Sequence, residues 1–97
     1  MHRQMVFRYG LRPGRLLSVA LAKGLADAVS RNDEPAADRY HRRLRMMAGQ
    51  FDTNPVVSEA LNRLLSAIEH WLATSVAERY KAERQVPELI ERLVELL

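Results

Sequence analysis

Apolar positions recur along this chain at helical spacing almost throughout, and the longest unbroken case runs over residues 54–85. Asn54-Pro55 suits a helix start, because the Asn side chain caps free backbone N–H groups and Pro fits the first turn, where its missing N–H is no loss. From there Val57, Leu61, Leu64, Ile68, Trp71 or Leu72, Ser75 or Val76, and Tyr80 return every three or four positions and so share one face. With no Gly and no further Pro in the stretch, the spacing predicts one long helix, a rod of roughly 45 Å at ~1.5 Å per residue.

Two shorter helices precede it and one follows. Over about 13–31, Leu17, Leu21, Leu25, Ala28 and Val29 form an apolar face, while Ala20, Ala22 and Gly24 keep the helix slim for close contact. Asn32-Asp33-Glu34-Pro35 stops it and starts the next helix, over about 35–50, whose seam is Ala37, Tyr40, Leu44, Met47 and Phe51. Gly49 and Asp52-Thr53 leave only a short connection to Asn54, which folds helices two and three into an antiparallel hairpin. At Val86-Pro87 the pattern predicts a break, since Pro disfavours helical backbone in the residue before it, and then a last helix over 87–97.

Residues 1–12 follow a different rhythm, with Met5, Phe7 and Tyr9 alternating with Gln4, Val6 and Arg8. A lone strand has nothing here to pair with, so the segment reads as an extended arm that lays its aromatics on the bundle, or as a strand paired with another copy. The expected fold class is therefore all-α: a small four-helix arrangement built on an antiparallel helical hairpin with one long helix and an N-terminal extended arm, in a single domain over 1–97.

Composition narrows the chemistry. Ninety-seven residues with 47% apolar and 28% charged content suit an ordinary globular domain and argue against disorder. There is no Cys, which excludes disulfides, thiolate metal sites and thiol nucleophiles. His2, His41 and His70 have no ligand spacing with one another or with acids, so no metal and no cofactor are expected. No nucleophile elbow surrounds any Ser, no glycine-rich phosphate loop is present, and Glu69-His70 and Glu78-Arg79 are sequence neighbours that diverge around a helix. The expectation is a protein that is not an enzyme.

The N-terminal stretch from Met1 to Arg15 is basic, and the first acid is Asp27. The apolar run from Leu16 to Ala22 is nevertheless short, contains Ser18 and meets Lys23, which is poor for a secretory leader. No run approaches the ~20 apolar residues of a membrane span, and a cytoplasmic protein with no membrane association is expected.

Charge then suggests where partners bind. Residues 1–49 hold ten Arg or Lys against four acids, while 50–97 hold five against eight, so a net +6 half precedes a net −3 half. Arg39, Arg42, Arg43 and Arg45, close to His41, form the densest basic cluster, and the first three lie opposite the Tyr40, Leu44 and Met47 seam. That geometry can lay guanidinium groups along phosphates, meet an acidic protein, or form a solvated face paired with acids such as Asp38 or with the long helix.

Helix two, at about 16 residues, spans roughly 24 Å and covers only about half of the rod. Beyond its reach, Trp71, Leu72, Val76 and Tyr80 need other cover, from helix one, helix four or a partner, although a Trp at mid-helix is more often core than contact. The last helix is apolar on more than one face, with Leu89, Ile90, Leu93, Val94, Leu96 and Leu97. The predicted protein-binding surface is therefore Trp71, Leu72, Val76, Tyr80, Ile90, Leu93 and Leu97. The function expected first is an interaction module, a small adaptor, chaperone-like or inhibitory subunit that meets a protein partner or forms a homo-oligomer. The alternative is a basic helical subunit binding nucleic-acid phosphates non-specifically within a nucleoprotein assembly.

Overall fold

Among the described residues four α-helices form along the apolar periodicity: α1 (Arg15–Ser30), α2 (Glu34–Met47), α3 (Pro55–Ala73) and α4 (Tyr80–Leu96). Single 3-10 turns occupy Ala48–Phe51 and Val76–Glu78. The computed structural model describes residues 15–51 and 54–97, with the backbone alone of Arg15, so the expected arm over 1–12 and the Asp52-Thr53 connection lie outside the described residues.

Each helix packs on two neighbours, α1 on α2 and α4, and α3 on α2 and α4. The α2–α3 hairpin is present, but the α1–α2 and α3–α4 contacts are more extensive. The core lies where the four apolar faces meet: Leu21, Leu25 and Val29 of α1, Ala37, Leu44 and Met47 of α2, Val57, Leu61, Leu64 and Ile68 of α3, and Val86, Ile90 and Leu93 of α4. Leu17, expected on that face, stands 53% exposed.

Small residues set the α1–α2 distance. Ala22 and Ser18 are buried, and a Cβ on Gly24 would sit 2.6 Å from the Tyr40 ring, well inside contact distance. The turn between these helices is a Schellman cap in which Asp33 N–H donates to the Ala28 carbonyl and Asn32 N–H to that of Val29. Asn32 takes the left-handed conformation there, with φ 56°. Asp33 then caps α2 by accepting from Ala36 N–H at 3.2 Å, as Asn54 caps α3 by accepting from Val57 N–H at 3.3 Å; such caps contribute about 1 kcal/mol each.

The expected long helix over 55–85 does not form. It ends at Ala73, and Thr74 and Ser75 are extended, with ψ near 150°. Thr74 Oγ1 donates to the His70 carbonyl at 2.7 Å, one of the local bonds with which Ser and Thr compete against helical pairing. The predicted break at Val86-Pro87 is equally absent, because α4 runs through Pro87. A Pro inside a helix costs about 3 kcal/mol. Breaking α4 there would uncouple Ala82 and Val86 from Ile90 and Leu93, which form one buried face. Full burial contributes roughly 1.5–3 kcal/mol for each of the larger side chains, so packing outweighs the local preference.

Candidate functional site

Arg79 occupies the most constrained position among the described residues. It is 3% exposed, in the turn between α3 and α4. Its Nε donates to the carbonyls of Trp71 at 2.9 Å and Thr74 at 3.0 Å, and Nη2 reaches the Leu72 carbonyl at 3.5 Å. Nη1 donates to Asn32 Oδ1 at 2.8 Å and pairs with Glu34 Oε2 at 3.0 Å. The guanidinium carbon lies 4.3 Å from the centre of the Trp71 ring, within cation–π range. One side chain thus closes the carbonyl end of α3, where the helix dipole is negative, and ties it to the α1–α2 turn. Every nitrogen of the guanidinium has a partner within the fold.

A second polar contact joins α2 to α3. Buried His41 places Nε2 3.2 Å from Glu69 Oε2, within hydrogen-bond distance. Arg45 Nη1 lies 3.7 Å from the same oxygen. Glu69, whose sequence neighbour His70 is exposed, therefore pairs across helices instead, which a reading limited to adjacent residues missed.

The predicted protein-binding residues do not make one surface. Trp71, Ile90 and Leu93 are core, Leu72 and Leu97 are half-buried, and only Val76 and Tyr80 stand exposed, beside the α3–α4 turn. Burial of Trp71 follows from the break at Thr74: the turned chain brings Arg79 over the indole and α4 back along α3. Trp71 Nε1 has no hydrogen-bond partner among the described residues.

Arg39, Arg42, Arg43 and Arg45 are all exposed on α2. Arg42 pairs with Asp38 at 3.1 Å and Arg45 with Glu69, while Arg39 and Arg43 meet no carboxylate among the described residues. Next to Arg43, Met46 is 84% exposed, and with Leu17 and Leu21 of α1 and Met47 it lines a depression of about 190 Å³. A larger open groove of about 860 Å³ separates α3 and α4 on another side, lined by Ser58, Asn62, Ser66, His70, Gln85 and others, with Glu59 and Arg63 paired at 4.0 Å. It is open and mixed in character, with Pro55, Ala67, Ala82 and Leu89 among its lining, and among the described residues no hydrogen bond joins its Ser and His side chains.

Among the described residues no group of His, Asp or Glu could hold a metal ion, and no helix is long and apolar enough to cross a membrane. Comparison with protein-family models, curated proteins and solved structures gives no match.

Proposed function

We propose that the chain is a non-enzymatic helical interaction module, working in the cytoplasm, that offers the α1–α2 face to a protein partner. One observation carries the reading: exposed apolar side chains coincide with a cation that meets no carboxylate among the described residues, Leu17 and Met46 flanking the α1–α2 seam with Arg43 lining the same depression. Single exposed apolar residues need no explanation, but a contiguous patch bordered by guanidinium groups has the composition of an interface, where Met and Arg are enriched.

Photo-cross-linking tests it. A photoreactive side chain at position 46 is expected to capture a protein in the cells that make the chain, and the same group at Asn62, in the α3–α4 groove, to capture none. Equal capture at both positions, or none at 46, overturns the proposal. Phosphate binding by the same helix is the second reading, favoured by the exposure of Arg39, Arg42, Arg43 and Arg45 together; an adduct to nucleic acid at position 46 would select it.

A further inference from the structure

We infer that the α1–α2 face receives an acidic amphipathic helix of a second protein, which lays apolar side chains on Leu17 and Met46 and sets carboxylates against Arg39 and Arg43. The inference rests on the reading of this face as a protein interface and adds the partner's chemistry.

Shape supplies the first half. Two helices side by side leave a groove between them, and here that groove is lined by Leu17, Leu21, Met46 and Met47, with Arg43 its one charged wall. A third helix fits such a seam with apolar side chains spaced at i, i+3 or i+4 and i+7. Met is suited to the floor of such a site, because its unbranched side chain adapts to what arrives.

Charge selects the occupant. Arg42 and Arg45 already have carboxylates, at 3.1 and 3.7 Å. Arg39 and Arg43 have none among the described residues and, four positions apart on α2, stand one above the other. An occupant that brings two acids one helical turn apart completes both pairs. The chain's own residues 1–14 have the wrong sign for this, since they carry Arg3, Arg8 and Arg12 and no acid. A second copy docked on the same face by two-fold symmetry is disfavoured as well, because it brings the two basic faces together. A foreign acidic helix satisfies both the apolar floor and the basic wall.

The probe is a synthetic helical peptide with a Leu stripe flanked by Glu, and a twin with Lys in place of each Glu, titrated by fluorescence anisotropy against the full chain. The Glu peptide is expected to bind about tenfold more tightly than its twin, as two exposed ion pairs allow. The double reversal Arg39→Glu with Arg43→Glu should invert that order, with circular dichroism confirming an unchanged fold. Equal affinity for both peptides overturns the acidic partner and leaves an apolar interface standing. A Glu peptide indifferent to the reversal binds elsewhere and also overturns the inference. Should neither peptide bind, the inference fails, and capture at position 46 decides separately whether the interface reading survives. Light scattering that shows self-association abolished by the same reversal would make the occupant a second copy and overturn the foreign helix.

Discussion

Arg79 and Arg43 carry the same guanidinium group into opposite situations. Arg79 is enclosed by the carbonyls of Trp71, Thr74 and Leu72, by Asn32 and Glu34, and by an indole ring. Arg43 stands on the outer face of α2 with no carboxylate near it among the described residues, beside Met46. Both meet apolar surface, yet only one has its donors satisfied. A cation whose bonds all end within the fold belongs to stability, and one left open beside exposed apolar side chains is free to serve recognition. Net charge alone does not separate the two; the location of their acceptors does.

Removing Arg79 tests that contrast most severely. Arg79→Ala leaves buried carbonyls without donors and should destabilise the fold by about 3 kcal/mol or more in urea unfolding. Arg79→Lys should recover little, since a compact ammonium cannot span acceptors spread across two turns. A loss below about 1 kcal/mol for either would reduce the enclosed Arg to the status of an ordinary surface cation.

A finer test divides the clasp at Asn32, which both adopts φ 56° and accepts from Arg79. Asn32→Gly removes the acceptor while keeping a residue suited to positive φ, whereas Asn32→Ala also puts an unsuited side chain in the left-handed region. Thermal melting should rank Ala below Gly by about 1 kcal/mol, with both below the parent chain. If Gly matches the parent, the Asn32 bond to Arg79 contributes nothing and the turn is governed by backbone conformation alone.

On the other side of the comparison, Arg39→Ala with Arg43→Ala should shift stability by no more than about 0.5 kcal/mol each, because exposed positions away from caps and cores respond weakly. A larger loss would mean that these two residues are also part of the fold's internal bonding.

The helical class, the four apolar faces and the start of α3 at Asn54-Pro55 were legible in the sequence, because periodicity and capping are local properties. The end of α3 was not. The apolar spacing carries Ser75 or Val76 into the seam of a continuing helix, although Thr74-Ser75 offers side chains that compete for backbone bonds. Pro87 misled in the opposite direction, since its local penalty is visible in sequence and the burial of Val86, Ile90 and Leu93 that outweighs it is not. Displacing the break from Val86-Pro87 to Thr74-Ser75 left Trp71 in the core, the commoner place for a Trp at mid-helix, and dissolved the surface expected around it. For the basic cluster, the sequence placed Arg39, Arg42, Arg43 and Arg45 on one helix. Which of them would find Asp38 or Glu69 depended on rotamers and on the α2–α3 approach. Nothing in Arg79's local sequence marked it as buried, because its acceptors on Asn32 and Glu34 lie 47 and 45 positions away.

Trp71, the only tryptophan, also gives the molecule a built-in optical reporter. Its indole is out of water, with a guanidinium stacked on its face, so its emission should be blue-shifted and should respond when that cation leaves. Trp71 is not among the residues that line the α1–α2 depression. A ligand seated there would leave the fluorescence unchanged, whereas loosening of the α3–α4 turn would alter it. Recognition and integrity can therefore be followed in the same cuvette on separate channels, an extrinsic label for one and the native indole for the other.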